Sequence, residues 1–257
     1  MVRGGPILDG LMIEWNDTVD SNGLTTREFR ITGDDARDVT GSVWLPAESS
    51  KADTLMCFGH GASGNRYQAP ICDLAGRFVT EAGLPVLSID GPVHGLRQVG
   101  PGGREAFWPE YAREDSLTDM TNDWHRAITA TRELDQVNAR NIAYFGLSMG
   151  TIFGIPLLAS RTDVSVATLG LFGSREGSPH HIEYKTAAAK IHCPLFFLMQ
   201  LEDELFTREG YLDIFDAFAA KDKRIHANPG LHPEVPGREI GFAYNFLISH
   251  ITGKPMG

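Results

Sequence analysis

The sequence predicts an α/β fold built on a mostly parallel sheet with helices on both faces. Short apolar runs of strand length alternate with helical patterns from residue 54 onward. That alternation implies right-handed crossovers, which bring the strands together in parallel and cover both faces of the sheet. The residues with chemical character fall in the segments just after strands, where such sheets gather their functional groups.

In chain order, residues 26–31 and Val39–Pro46 read as an antiparallel hairpin around the turn-rich Gly33-Asp34-Asp35. Residues 54–58 form a short apolar strand followed by a glycine-rich loop. A helix then places Ile71, Leu74, Phe78 and Ala82 on one face and stops at Gly83. Residues 85–89 are the next strand, ended by Asp90-Gly91-Pro92. A longer helix begins near Asp115, with Leu117, Met120, Trp124, Ile128 and Leu134 at helical spacing and Ser116 with Asp119 as a capping pair. Residues 142–147 are strand, Met149–Ala159 an apolar helix, and 164–172 strand again. The pattern closes with strand 194–200, helix 211–218, strand 224–227 and helix 240–251.

Composition narrows the function classes. The 257 residues carry 33 Asp and Glu against 23 Lys and Arg, a formal charge of −10. That balance argues against a nucleic-acid surface, which needs a basic face. Cys57, Cys72 and Cys193 are widely spaced, outside any CxxC pair, and sit in or beside apolar runs, so buried free thiols are expected. No apolar core of signal-peptide type follows the first residues, and no stretch approaches the roughly 20 apolar residues of a membrane span. These features point to a cytoplasmic protein.

The sharpest motif is Gly146-Leu147-Ser148-Met149-Gly150, of the form G-x-S-x-G, between a strand and a helix. A serine at a strand-to-helix turn takes a strained backbone, and side chains two residues to either side would collide; glycine removes the collision. A serine hydroxyl is a poor nucleophile without a base, and the base needs an orienting carboxylate. Strand 194–200 runs into Leu201-Glu202-Asp203-Glu204, and strand 224–227 into Asn228-Pro229-Gly230-Leu231-His232. Ser148 as nucleophile, Asp203 as acid and His232 as base follow the order such a triad takes. Glu202 and Glu204 read as solvated surface carboxylates.

With these residues in view, the chain from about Thr26 to the end resembles the α/β-hydrolase superfamily and, within it, the dienelactone-hydrolase-like serine esterases. The likeness rests on Gly-Leu-Ser-Met-Gly, the His-Gly pair at 60–61, Asp-Gly-Pro-Val-His-Gly at 90–95, and Asp203 and His232 in their loops. It implies the α/β-hydrolase fold, an eight-stranded mostly parallel sheet in one domain spanning 1–257, and ester hydrolysis through an acyl-enzyme without a cofactor. It also implies a small-molecule ester as partner. Dienelactone hydrolases proper use cysteine where this chain has Ser148. Val93 and Arg97 stand where many relatives carry Gly and Ser, and Gln200 where a glycine is frequent.

Gly59-His60-Gly61-Ala62-Ser63-Gly64 has two readings. As G-x-G-x-x-G after a strand, with Asp90 at the end of the next, it matches a dinucleotide fingerprint and would make the protein an NAD-dependent oxidoreductase. As a His-Gly oxyanion loop, its Ala62 N–H joins that of Met149 around a developing negative oxygen. The second reading accounts for Ser148, Asp203 and His232; the first leaves them unused. A catalytically silent hydrolase fold serving as a receptor is a further alternative. So are amidase, thioesterase and carbon–carbon hydrolase activities, which the same triad serves.

Residues 97–115 combine Gly100, Gly102 and Gly103 with Phe107, Trp108 and Tyr111, and a second segment spans 173–192. Both read as lid segments rather than a cap domain, with the three aromatics and His94 as candidate substrate contacts. The alternative for His94 is that it shapes its own loop; for the aromatics, that they pack on the body. His180-His181 with Glu183 lacks a completed ligand set, so no metal site is expected.

Overall fold

The computed structural model of the chain describes residues 3–8, 11–16, 18–21, 24–32, 37–47 and 53–254. The Gly33-Asp34-Asp35 turn of the expected hairpin lies outside these residues. The chain divides into two units, Met1–Asn141 and Ile142–Gly257.

The first unit opens with β1 (Arg3–Leu8), β2 (Leu11–Trp15), β3 (Val19–Ser21), β4 (Leu24–Thr32) and β5 (Val39–Pro46). These pair antiparallel: β1 with β2, β2 and β3 with β4, and β4 with β5. Then come β6 (Thr54–Gly59), α1 (Ile71–Ala82) and β7 (Val86–Ile89), with β7 antiparallel to β5 and parallel to β6. Leu55 to Phe58 and Val86 to Leu87 are wholly buried, as continuous apolar strands covered on both faces must be. Helix α1 turns Ile71, Leu74, Ala75, Phe78 and Val79 inward and ends at Gly83, whose φ of 66° closes the helix with Gly83 N–H on the Val79 carbonyl.

A short 3₁₀ turn (Gly95–Arg97), α2 (Gly103–Tyr111) and α3 (Ser116–Arg132) complete this unit. Helix α2 is where a glycine-rich lid loop was expected. Its sequence hides it, because three glycines precede or start it and Pro109 lies inside it. The capping pair predicted for α3 does not form: Asp115 is the N-cap residue, and Ser116 Oγ instead donates to the Tyr111 carbonyl at 2.9 Å. Of the three cysteines, only Cys57 is buried; Cys72 is exposed and Cys193 half-buried, all three as free thiols. Among the described residues no helix is long and apolar enough to cross a membrane.

Asp90, at the end of β7, is fully buried and ties the following turn together. It accepts from Thr40 Oγ1 at 2.7 Å, from Arg66 Nη1 at 2.7 Å, and from the N–H groups of Arg66 and Leu96 at 3.1 Å each. Arg66 is also buried and reaches Ser42 and Glu28 as well, so the buried charges are paired and hydrogen-bonded rather than stranded.

In the second unit, β8 (Asn141–Gly146), β9 (Val164–Gly170), β10 (Leu195–Gln200) and β11 (Lys223–Asn228) pair in parallel in that order. The connections carry α4 (Met149–Ala159), α5 (His181–Ala188) and α6 (Arg208–Ala217), and α7 (Gly237–Thr252) closes the chain. From β4 to β11 there are eight strands, the number expected; the three strands before β4 were not foreseen. The strand expected over 164–172 stops at Gly170, because Leu171 takes a left-handed φ of 52°.

Val93 is strained. Its φ of 58° is a conformation that glycine adopts freely and a β-branched residue resists. Val93→Gly is expected to stabilise the protein by about 1 kcal/mol, raising Tm by a few degrees in a thermal melt. A lower Tm would mean that the half-buried valyl side chain contributes more packing than its backbone costs.

Candidate active site

Gly146 ends β8 and Met149 begins α4, so Ser148 occupies a two-residue turn between them. Its φ of 57° and ψ of −118° are those of a strained elbow. The glycine before it is required: a Cβ on Gly146 would stand 2.7 Å from the Gly150 carbonyl oxygen. Hydrogen bonds hold the turn in place. Ser148 N–H donates to the Gly170 carbonyl at 2.9 Å, and Tyr144 Oη to the Gly150 carbonyl at 2.7 Å. Thr151 Oγ1 accepts Gly170 N–H at 2.8 Å and lies 2.6 Å from the Gly170 oxygen and 2.8 Å from that of Gly146. The Met149 N–H is the first of α4, at the end of the helix that favours negative charge.

His232, 5% exposed, lies in the loop after β11. Its Nε2 is 2.9 Å from Ser148 Oγ and its Nδ1 is 2.7 Å from Asp203 Oδ2. The carboxylate can only accept, so Nδ1 carries the proton and Nε2 offers its lone pair to the serine hydroxyl. Burial pushes the Asp203 carboxyl upward, but hydrogen bonds from His232, from Tyr211 and from Leu205 N–H outweigh it and hold the group below the usual carboxylate range. The structure thus brings Ser148, Asp203 and His232 into one hydrogen-bonded chain.

Both neighbours of Asp203 are exposed, as solvated carboxylates should be, and both also bind the loop that carries His232. Glu202 Oε2 accepts Gly230 N–H, and Glu204 Oε2 accepts His232 N–H at 2.9 Å. That N–H holds the Glu204 carboxyl below its ordinary range. Gln200, buried at the end of β10, places Nε2 3.0 Å from the Glu234 carbonyl, 3.3 Å from that of Leu231 and 3.4 Å from that of Pro229. Glu234 in turn accepts Leu231 N–H at 2.8 Å. Four side chains therefore staple the segment that carries His232. Sequence reasoning missed them, and the one available signal was Gln200 standing where glycine is frequent.

The remaining expected residues belong to the first unit. His94, 2% exposed, has Nδ1 2.7 Å from the Pro92 carbonyl and Nε2 2.9 Å from that of Ala62. Both its nitrogens are engaged with backbone, which is the loop-shaping alternative. Phe107 and Tyr111 are buried and stacked at 5.6 Å, with His94 edge-on to Phe107, while Trp108 is 41% exposed. His181 Nδ1 meets Ser174 Oγ at 2.8 Å, and among the described residues no cluster of His, Cys, Asp or Glu could hold a metal.

The dinucleotide reading of residues 59–64 fails on two counts. No helix opens at the third glycine, since α1 starts seven residues later at Ile71, so no helix N-terminus faces a phosphate there. Asp90 is buried and fully committed to its own turn, not presented to a ribose. His60 fixes the same turn: Nε2 accepts Gly91 N–H and Nδ1 donates to the Gly61 carbonyl, each at 2.8 Å.

No family model matches the chain, and no curated protein does. Solved structures do match. The PEG-bound complex of a cold-adapted esterase from an Arctic intertidal metagenomic library is 30% identical, with a TM-score of 0.78 over 92% of this chain and 98% of that one. An acetyl xylan esterase from Paenibacillus sp. R4 is 16% identical, with a TM-score of 0.68 over 96% and 90% of the two chains. A glucuronoyl esterase from Solibacter usitatus is 13% identical, with 0.65 over 97% and 89%. The last two share the fold. The chain belongs to the α/β-hydrolase superfamily. Within it, the likeness is to the dienelactone-hydrolase-like esterases.

His60 supplies a pH test of the first unit. Burial, with the neighbouring His94 adding to it, lowers its pKa from 6.5 to about 4. The unfolded chain takes up a proton near pH 6.5 that the folded state refuses, so this group's contribution is full above 6.5 and lost as pH falls toward 4. His60→Gln, which keeps a donor and an acceptor but does not titrate, should lose less stability than wild type between pH 7 and pH 4.5. Urea unfolding should show a difference on the order of 2 kcal/mol; parallel curves would contradict this account of His60.

Proposed function

We propose that the protein is a carboxylesterase, a serine hydrolase that cleaves carboxylic esters through an acyl-enzyme on Ser148. The observation that carries this reading is the hydrogen-bonded chain from Asp203 Oδ2 through His232 to Ser148 Oγ, at 2.7 and 2.9 Å. Ser148 attacks the ester carbonyl as His232 Nε2 takes its proton. Asp203 keeps the imidazole in the Nδ1–H form and stabilises the cation that results. The new Nε2–H then protonates the leaving alcohol. Water then attacks the acyl group as His232 takes its proton, and His232 returns that proton to Ser148 Oγ as the acid leaves. No cofactor enters either half.

The Met149 N–H, at the start of α4, is proposed as one donor to the tetrahedral oxyanion. Ala62 is proposed as the second on its sequence pattern, carried by the family resemblance. The similar solved structures are named as esterases, which favours an ester over an amide or thioester. Trp108, the exposed member of its aromatic cluster, is the proposed substrate contact among the four side chains considered. Three free thiols suit a reducing compartment such as the cytoplasm.

A fluorophosphonate probe should label the wild-type protein once, and Ser148→Ala should abolish labelling. His232→Ala should remove nearly all turnover of 4-nitrophenyl acetate, and Asp203→Asn should lower kcat on the scale of about 10⁴-fold. Labelling that persists in Ser148→Ala would overturn the assignment of the nucleophile.

A further inference from the structure

Asp203 receives more donors than a triad acid needs to orient a histidine. Its Oδ1 accepts Leu205 N–H at 2.7 Å and Phe206 N–H at 3.1 Å. Its Oδ2 accepts His232 Nδ1–H at 2.7 Å and also the Tyr211 hydroxyl. The backbone donors sit on the oxygen turned away from the histidine. Tyr211 alone competes for the oxygen that His232 uses.

The side chain is placed for this contact. Thr207 Oγ1 caps α6 by accepting Gly210 N–H at 3.2 Å, which sets Tyr211 in the first turn facing inward. Its ring is fully buried and lies edge-on to Phe197 and Phe206, each at 6.2 Å. A phenylalanine would fill that space, so packing leaves the hydroxyl unexplained. A buried hydroxyl needs an acceptor, and here the acceptor is Asp203.

We propose that Tyr211 is a positioning residue for the reaction, one that shares Asp203 Oδ2 with His232 and so sets how strongly the imidazole holds the serine proton. This rests on the triad reading above. Each donor to a carboxylate lowers its strength as an acceptor for the next. With Tyr211 on Oδ2, Asp203 stabilises the imidazolium less than a free carboxylate would. The imidazolium formed in the reaction therefore gives its proton up more readily to the leaving alcohol. Tyr211 keeps its own proton throughout: burial and the adjacent Asp203 push its hydroxyl well above the ordinary phenol range.

The other charged groups around this site engage backbone or each other. Glu202, Glu204 and Glu234 hold the N–H groups of Gly230, His232 and Leu231. Arg208 Nε donates to the Leu201 carbonyl at 2.9 Å, and Asp213 of α6 pairs with Lys185 of α5 at 2.6 Å. Glu209 is exposed in the first turn of α6. The Tyr211 hydroxyl hydrogen-bonds to Asp203 and to none of these groups, so a shift of the acid limb belongs to that bond.

The test is the pH profile of kcat/KM for 4-nitrophenyl acetate in Tyr211→Phe. The midpoint of the acid limb should rise by about half a unit to one unit, so that activity at acid pH falls about 3- to 10-fold more than at alkaline pH. Site-specific 3-fluorotyrosine at position 211, a stronger donor of the same shape, should move the limb the other way, and it decides the matter if the phenylalanine variant does not fold. A limb that stays in place in both proteins, with any loss uniform across pH, would overturn the proposal and leave Tyr211 as packing. Failure of the triad itself reads differently: fluorophosphonate labelling would survive Ser148→Ala, or the acid limb would persist in His232→Ala.

Discussion

The backbone of Ser148 is the constraint around which the second unit is arranged. A non-glycine residue at φ 57° and ψ −118° costs about 1 to 3 kcal/mol and persists only where its surroundings over-determine it. Here they do. The Gly170 carbonyl takes the Ser148 N–H, Thr151 bridges the ends of β8 and β9, and Tyr144 holds the Gly150 carbonyl in the first turn of α4. Gly146 leaves the space that any side chain would fill. The strain serves the chemistry, because the same turn presents Oγ at its tip and places the first N–H of a helix directly after it.

A second requirement is that His232 reach that tip from a loop, and loops are mobile by default. Strands β10 and β11 run in parallel register, with Gln200 opposite Asn228, so their two loops leave the sheet side by side. Gln200, Glu202 and Glu204 then bind the backbone of the neighbouring loop while Asp203 binds its imidazole. The acid loop therefore sets both the position of the histidine segment and the direction of its ring. Such support from neighbouring side chains holds His232 and Ser148 within hydrogen-bond range.

Much of this was legible in the sequence, for local reasons. The elbow announces itself because the collision that demands glycine lies within five residues. Asp203 and His232 were singled out because each stands in the short loop after a strand. The staples were not legible: whether the exposed Glu204 binds His232 N–H depends on two loops 28 residues apart meeting, and no local pattern encodes that. The same holds for Tyr211, which looks like one more core aromatic of an amphipathic helix. Helix α2 was hidden by its glycines and Pro109, and β3 by its length of three residues. The glycine loop at 59–64 misled in the other direction, matching a nucleotide fingerprint whose helix starts too late.

The central claim is that ester cleavage passes through a covalent acyl group on Ser148. The most direct measurement is a rapid-quench experiment with a slowly deacylating 4-nitrophenyl ester, followed by peptide mass spectrometry. The account predicts a burst of nitrophenol equal to the enzyme concentration, with the acyl mass on the peptide containing Ser148. Turnover without a burst, with no acyl group on that peptide or with the acyl group on a different one, would contradict it.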